Sequence, residues 1–206
     1  MYARSTSISG DADRIDAAID YVRRDAMPVL TGLDGCVGMS MIVEREPGRV
    51  IVTSAWESRG AMQASDAQLG PMRARGADIM AGIALAQEWE VAVMHRDHAS
   101  LDGACCRVTW MRLDRTAIDR GVEIYRRTML PEMEQLPGFC SASLMVDRER
   151  GQACSTTTYD SRAAMEESRD RSWTIRDAGV REAGVDVTDV GEFDLVLAHL
   201  RVPELV

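Results

Sequence analysis

The chain has 206 residues, a formal net charge of −9 and 46% hydrophobic residues, a composition typical of one or two globular domains. Clustered basic residues are absent, which argues against a nucleic-acid partner, and every apolar run is too short to span a bilayer. The five cysteines lack C-x-x-C spacing and the N-terminus lacks an apolar signal core, so we expect free thiols in a cytoplasmic protein.

The chain contains an internal duplication, which is visible when the sequence is shifted by 103 positions. Residues 15–65 then match residues 118–168 without a gap, and roughly a third of the matched positions are identical. We therefore predict two domains, one for each repeat. They span residues 1–98 and 104–206.

In chain order, each repeat predicts a strand, a helix, two strands joined in a hairpin, a second helix and a last strand. Alternating side chains indicate the strands. Apolar residues at spacings of three and four indicate the first helix, which Pro28 and Pro131 should kink or end. The second helix should be interrupted at residues 70–71, in the first repeat only. The predicted strands are 2–9, 36–44, 49–56 and 88–95 in the first repeat, and 104–112, 139–147, 152–159 and 192–200 in the second.

This element order is that of the ferredoxin-like fold, in which a four-stranded antiparallel sheet carries both helices on one face. The other face of each sheet is left apolar, and two such sheets can cover each other. We therefore predict an α+β protein of two ferredoxin-like βαββαβ repeats, packed sheet to sheet as an intramolecular dimeric α/β barrel. We expect either a monomer with pseudo-twofold symmetry or a further homodimer.

A motif at the end of each hairpin carries a family resemblance. Residues 56–62 read WESRGAM and residues 159–165 read YDSRAAM, so that an aromatic residue, an acid and a serine lead from the strand into the second helix. This pattern resembles the antibiotic-biosynthesis-monooxygenase-like domains of the dimeric α/β-barrel superfamily. Members include cofactor-independent monooxygenases, haem-degrading enzymes and proteins without known activity. The resemblance implies a ligand pocket between the sheet and the helices of each repeat.

The better-defined chemistry of that family needs residues that this chain lacks. Haem-degrading members use an asparagine, a tryptophan in the second helix and a histidine ligand, and quinone-forming members use an asparagine beside the strand-end tryptophan. This chain has no asparagine, carries Ser65 and Ser168 at the helix position, and has no histidine at 57–87 or 160–190. Nucleotide-binding loops are also absent from the sequence, so we expect no flavin, no metal and no other cofactor.

Four side chains at strand ends are candidates for catalysis. Trp56 and Tyr159 occupy equivalent positions, where an aromatic ring either stacks on a planar substrate or fills the space between sheet and helix. His95 and His199 are also equivalent, and each is either an acid–base group or a packed histidine. The segment 95–98, which reads HRDH, suggests a metal site, but no third ligand is evident in the sequence.

The second repeat is the more pocket-like of the two. Its side chains are smaller or more polar at three positions, and this leaves space and hydrogen-bonding groups for a ligand. The exchanges are Val22 to Tyr125, Val50 to Ala153, and Val52 to Ser155. We therefore predict one ligand site, in the second repeat, for a small apolar or aromatic molecule. The predicted ligand-binding residues are Tyr125, Met129, Ser155, Thr157, Tyr159 and Met165.

Three functional hypotheses remain open on this basis. The first is a cofactor-independent monooxygenase that acts on an aromatic or polyketide-like substrate. The second is a binding protein for an apolar ligand such as haem, without turnover. The third is a structural or stress-related barrel with closed pockets. None of the three predicts a nucleic-acid or membrane partner.

Overall fold

The computed structural model describes residues 1–200 and 203–205, apart from the side chain of residue 200. The chain forms two compact units. The first unit contains Met1–Trp89 and Leu195–Val202, and the second contains Glu90–Asp194 and Pro203–Val206. The predicted domain limits remain a prediction. They are defined by the duplication in the sequence, whereas the two units are defined by which residues pack together in the structure. Among the described residues, no helix is both long and apolar enough to cross a membrane.

The first half of the chain follows the predicted element order. Its elements are β1 (Tyr2–Ser9), a 3-10 turn (Ala12–Arg14), α1 (Ile15–Tyr21), a π-helical segment (Val22–Ala26), α2 (Met27–Thr31), β2 (Cys36–Glu44), β3 (Arg49–Trp56), α3 (Arg59–Ala64), α4 (Asp66–Met80) and β4 (Ile83–Arg96). The last strand begins earlier than predicted.

The second half of the chain repeats this order. Its elements are β5 (Cys105–Arg112), a 3-10 turn (Arg115–Ala117), α5 (Ile118–Ile124), a π-helical segment (Tyr125–Met129), α6 (Leu130–Met133), β6 (Phe139–Asp147), β7 (Gln152–Tyr159), α7 (Arg162–Glu167), α8 (Arg169–Ala183) and β8 (Asp186–Leu200). Again, the last strand begins before the predicted residue.

All the strand pairs with a described register are antiparallel. In the first unit β3 pairs with β1 and β2, and in the second unit β7 pairs with β5 and β6. In the second unit, residues 186–194 of β8 also pair with β5, and residues 90–96 of β4 pair with β6. In hydrogen-bonded order the strands are β1-β3-β2-β8-β5-β7-β6-β4, and this order closes on itself. The predicted α+β class, the ferredoxin-like repeats and the strand topology of a dimeric α/β barrel are confirmed.

Each unit has its own apolar core between its sheet and its helices. In the first unit the predicted stripe of the first helix is buried, with Ile15 and Leu30 among its members. In the second unit Ile118 and Met133 take the same places. Burying one such side chain contributes about 1.5–3 kcal/mol. The apolar stripe therefore holds each first helix on its sheet.

The first helix of each repeat continues past its proline instead of ending there. It changes from α to π geometry at Val22–Ala26 and Tyr125–Met129, and α2 and α6 then carry Pro28 and Pro131 in their first turn. Proline has no N–H to donate and clashes with the carbonyl four residues earlier. The first turn of a new α segment tolerates both defects, so the predicted break is a change of helix type.

The second helix is interrupted at the same serine in both repeats. The hydroxyls of Ser65 and Ser168 each donate to a backbone carbonyl of the preceding turn at 2.6 Å. Such a bond competes with the backbone N–H of the helix and bends it. The predicted interruption at residues 70–71 is wrong, because α4 runs through Pro71.

We predict that Gly138→Ala destabilises the protein more than Gly103→Ala. Both glycines have a positive φ, of 63° and 90°, so alanine costs about 1–2 kcal/mol of backbone strain at either position. A Cβ at Gly138 would also lie 2.5 Å from the Cβ of Ala164, whereas nothing lies within 4 Å at Gly103. Urea unfolding midpoints measure both losses. Equal losses would show that the turn at Gly138 is not held against α7.

Candidate functional site

The second unit contains a cavity between its sheet and its helices. The cavity has a volume of about 70 Å³, where about 10–15 Å³ suffices for one water molecule. Strands β5, β6 and β7 form one wall, and α5, α6, α8 and the π-helical segment between α5 and α6 form the other. The polar uncharged side chains on this otherwise mostly apolar wall are Thr109, Tyr125, Ser155, Thr157 and Ser172.

Small side chains keep this cavity open. At three positions that line it, the first unit carries a larger apolar residue that belongs to, or packs against, the core of that unit. The pairs are Val50 and Ala153, Val52 and Ser155, and Leu69 and Ser172. Because each exchange removes apolar volume, the second unit gains space where the first unit is filled.

A buried arginine crosses the sheet side of the cavity. Arg107 is only 4% exposed. Its Nε and Nη2 donate to one carboxylate oxygen of Glu192 at 3.1 and 2.9 Å, and Nη2 also donates to the backbone carbonyl of Met165 at 3.1 Å. The other oxygen of Glu192 accepts from Arg169 at 2.9 Å. We refer to Arg107, Arg169 and Glu192 as the arginine cluster.

One N–H of Arg107 has no close partner. A guanidinium has five N–H donors, and three of them are used by Glu192 and Met165. A fourth, on Nη1, points to the hydroxyl of Tyr159 over a long 3.5 Å. The fifth, also on Nη1, meets no acceptor among the described residues. Arg107 lines the cavity, so a ligand there has a charged donor within reach.

The same position in the first unit has a different set of charged partners. Arg4, which matches Arg107, pairs with Glu88 at 2.8 Å and with Asp66 at 3.3 Å. Asp66 matches Arg169 in the duplication. Arg4 therefore meets two carboxylates, which Arg73 and Arg59 also approach, whereas Arg107 meets one carboxylate that it shares with Arg169. The buried arginine of the second unit thus has one carboxylate partner fewer than its counterpart.

The two cavity hydroxyls nearest the first helix bind each other. Tyr125 donates to the carbonyl of Ser143 at 3.3 Å and accepts from Ser155 at 3.1 Å. Burial raises the pKa of Tyr125 above its ordinary value, and burial likewise raises the pKa of Tyr159. Neither tyrosine is a base near neutral pH. Tyr125 offers a ligand a fixed hydroxyl oxygen, whose second lone pair accepts a hydrogen bond.

An aromatic side chain stands at the edge of the cavity. Trp173 lines the cavity and is 40% exposed. The guanidinium carbons of Arg169 and Arg176 lie 5.7 and 5.9 Å from its ring centroid, within the range of cation–π attraction. Sequence reasoning missed Trp173, although the duplication held the signal, because Gly70 occupies this position in the first repeat.

Four of the six predicted ligand-binding residues line the cavity, and two do not. Those that line it are Tyr125, Met129, Ser155 and Thr157. Tyr159 and Met165 are fully buried instead, where both contact Arg107. The hydroxyl of Tyr159 and the backbone carbonyl of Met165 therefore support the arginine from the interior. The ligand-binding role of the other four stays a prediction.

The remaining catalytic candidates lie away from the cavity. Trp56 is fully buried in the core of the first unit and donates to Ser54 at 3.0 Å. His95 stacks on Phe139 with ring centroids 6.2 Å apart, and its Nε2 lies 3.0 Å from Glu134. His199 lies half-buried on β8 in the first unit. None of the described residues that line the cavity is a histidine.

A separate polar cluster in the second unit joins residues that are distant in the sequence. His98 Nε2 lies 2.7 Å from Asp160, His98 Nδ1 lies 2.8 Å from Asp97, and Cys140 donates to the backbone carbonyl of His98 at 3.3 Å. Asp160 and then Asp97 raise the pKa of His98. The sequence showed no third ligand beside the HRDH segment, and the fold brings Cys140 and Asp160 to it.

Comparison with known proteins finds relatives in both sequence and structure. A family model described as antibiotic biosynthesis monooxygenase matches residues 1–68. The Mycobacterium tuberculosis protein Rv2557, described as uncharacterized, is 50% identical over 206 residues, which is 100% of this chain and 92% of that protein. Rv2558 of the same organism is also 50% identical, over 207 residues that are 100% of this chain and 88% of that protein.

Three solved structures share the fold. A Fusobacterium nucleatum protein with a suggested monooxygenase activity has a TM-score of 0.72 at 11% identity and covers 97% of this chain and 94% of its own. An anthrone oxidase-like protein has a TM-score of 0.68 at 13% identity, with 100% and 94% covered. The haem-degrading enzyme of Listeria monocytogenes has a TM-score of 0.54 at 11% identity, with 94% and 99% covered.

We predict that Glu192→Gln destabilises the protein at neutral pH and has less effect in acid. Burial acts to raise the pKa of Glu192, but hydrogen bonds from Arg107 and Arg169 outweigh it, and the net pKa is lowered. A lowered pKa contributes stability that is present above the unfolded-state value of about 4.3 and is lost as the pH falls through the folded value.

The expected loss at pH 7 is about 1.5–3 kcal/mol, the range for hydrogen bonds to a charged group. Unfolding free energies of wild type and variant, measured by urea between neutral and acidic pH, should converge as the pH falls. Glu167→Gln, on the exposed side of α7, is the matched control and should follow wild type at every pH. A difference in unfolding free energy between wild type and Glu192→Gln that persists unchanged in acid would contradict the assigned charge of Glu192.

Proposed function

This chain belongs to the family of antibiotic-biosynthesis-monooxygenase-like proteins, and on that premise we propose that the cavity of its second unit binds a small, flat and largely apolar molecule that carries one acidic oxygen. Enols, phenols and carboxylic acids on a conjugated ring have this chemistry. Binding of this molecule is the main proposed function, and oxygenation of the bound molecule is a second one.

The proposal rests on one N–H of Arg107, on Nη1, that meets no acceptor among the described residues. A guanidinium stays protonated at any physiological pH, so this donor keeps its charge inside a mostly apolar wall. Hydrogen bonds between ionised groups are shorter and about twice as strong as neutral ones. An anionic oxygen in the cavity would meet this donor, and Glu192 alone does not neutralise Arg107 and Arg169 together.

The rest of the cavity favours a flat, apolar body for the ligand. Most of the lining is aliphatic or methionine, and Met129 and Met133 supply soft side chains that adapt to shape. The indole of Trp173 offers an aromatic face at the edge. The hydroxyl of Tyr125 adds one oriented polar contact, and pockets with few polar groups on an apolar wall are typical small-molecule sites.

The other two functions have less support. A structural barrel with closed pockets does not account for an open cavity that contains an uncommitted charged donor. Haem is held by a histidine, a cysteine thiolate, a tyrosine, or a methionine together with a histidine. The described lining residues include no histidine or cysteine, and burial raises the pKa of Tyr125, which disfavours the phenolate that binds iron.

A cytoplasmic location fits the five free thiols.

Oxygenation of the bound molecule is a second candidate function. Arg107 would stabilise an enolate, and an enolate is electron-rich enough to react directly with O₂. For an anthrone, the balanced reaction is anthrone plus O₂ giving anthraquinone plus water. The likeness to an anthrone oxidase-like protein favours this class. None of the described residues at the cavity is a free base, because both tyrosines have a raised pKa and Glu192 is paired. The proton of the substrate would therefore pass to solvent water, and Arg107 would stabilise the enolate that remains.

We predict that filling the cavity with the residues of the first unit weakens the binding of an anionic aromatic ligand. The variant combines Ala153→Val, Ser155→Val and Ser172→Leu. The probes are 2-hydroxy-1,4-naphthoquinone, which is an anion at neutral pH, and its neutral 2-methoxy ether, titrated by calorimetry. Wild type should bind the anion at least about tenfold more tightly than the ether, and the filled variant should lose at least about tenfold in affinity, which is 1.4 kcal/mol.

Thr156→Val is the matched control. Thr156 lies on the same strand, and neighbouring residues of a strand point to opposite faces, so this variant should bind like wild type. Unchanged binding by the filled variant, or equal affinity for anion and ether, would refute the proposed site.

Oxygenation has its own readout. Wild type incubated with anthrone should consume one O₂ for each anthraquinone formed, at a rate above the uncatalysed reaction, and the filled variant should not. Binding without oxygen consumption would reject the oxygenase and leave the binding proposal in place.

A further inference from the structure

Three side chains of different metal-ligand types meet at one end of the sheet in the second unit. His98 follows β4, Cys140 is the second residue of β6, and Asp160 directly follows β7. One ligand atom of each lies within 4.8 Å of the ligand atoms of the other two. None of the three lines the cavity, so this cluster is distinct from the proposed ligand site.

We propose that His98, Cys140 and Asp160 form a binding site for a divalent transition-metal ion, with Zn²⁺ the favoured ion. An imidazole, a thiolate and a carboxylate are the three ligand types that proteins use for zinc. The thiolate disfavours Ca²⁺ and Mg²⁺, which take oxygen ligands, and the mixture of sulfur, nitrogen and oxygen suits a borderline-soft ion.

The hydrogen bonds of His98 already have the arrangement of a metal-bound histidine. Its Nδ1 lies 2.8 Å from the carboxylate of Asp97, and its Nε2 lies 2.7 Å from Asp160. Histidines that bind a metal through one nitrogen typically donate the other N–H to a carboxylate, which fixes the ring and makes it a better ligand. Asp97 is placed for that role, and a metal ion would replace the proton between Nε2 and Asp160.

The spacing of the three groups allows a tetrahedral ion after small movements. Zinc–ligand bonds of about 2.0–2.3 Å place neighbouring ligand atoms about 3.3–3.8 Å apart. The Nε2 atom of His98 and the carboxylate of Asp160 would move slightly apart, and both would move towards the thiol of Cys140. The side chains of His98 and Asp160 are both 40% exposed and have room to move, whereas Cys140 is buried and fixed by β6. The fourth position then faces solvent and takes a water molecule.

The first repeat has no thiol at the position of Cys140, which shows that the fold does not need one there. The duplication places Val37 opposite Cys140 and Glu57 opposite Asp160. Valine is therefore compatible with the strand at the Cys140 position, which makes Cys140→Val a variant that removes the thiol with little expected damage.

The test uses the full chain without a histidine tag, freed of metal by chelator dialysis and titrated with Zn²⁺ by calorimetry. Wild type should bind one Zn²⁺ per chain. Co²⁺ in place of Zn²⁺ should give the near-ultraviolet absorption of a thiolate–Co²⁺ bond. Cys140→Val should lose that absorption and at least tenfold in Zn²⁺ affinity, and Asp97→Asn should weaken Zn²⁺ binding by about 10–100-fold. Cys36→Ser, at a half-buried thiol outside the cluster, should behave as wild type.

Two results would overturn the proposal. One is wild-type protein that binds no stoichiometric Zn²⁺, in which case the cluster is an ion pair between His98 and Asp160 only. The other is a Co²⁺ complex of wild type without the thiolate absorption, which would exclude Cys140 as a ligand. The second measurement needs no variant, so it decides the matter even where a substitution disturbs folding.

Discussion

The buried guanidinium of Arg107 is the constraint on which the second unit depends. Because this group cannot lose its proton inside a protein, the fold has to surround it with acceptors or accept a cost of several kcal/mol for an uncompensated charge. The acceptors come from α7, β7 and β8, through the carbonyl of Met165, the hydroxyl of Tyr159 and the carboxylate of Glu192. The charge beside the cavity thereby holds the surrounding elements together.

The two copies of the duplication differ in the volume and charge of the residues at the cavity of the second unit. The first unit retains the arginine, as Arg4, but surrounds it with two carboxylates and with large apolar neighbours. At the matching positions the second unit has Arg169 where the first has Asp66, and Ser172 where the first has Leu69. The difference in charge and the difference in volume therefore lie on the same helix.

The duplication also made the fold predictable, because each weak pattern appeared twice. The strand at Tyr2–Ser9 gained support from its stronger counterpart at Cys105–Arg112. The break at Ser65 and Ser168 escaped prediction, because it depends on a hydroxyl rotamer that composition does not reveal. The place of Trp173 at the cavity was not predicted, because its counterpart Gly70 has no side chain that would mark the position.

The approach of Cys140 to His98 could not be predicted, since only the pairing of β6 with β4 brings these distant residues together. Burial likewise decided the roles of Tyr159, at the end of a strand, and Met165, on a helix, because the sequence pattern does not show that both are fully buried.

The most direct test of the central claim is a crystal structure of the chain with 2-hydroxy-1,4-naphthoquinone. The account predicts the anionic oxygen about 2.7–2.9 Å from Nη1 of Arg107, with the ring between β7 and α8. A ligand bound elsewhere, or a neutral edge facing Arg107, would contradict it.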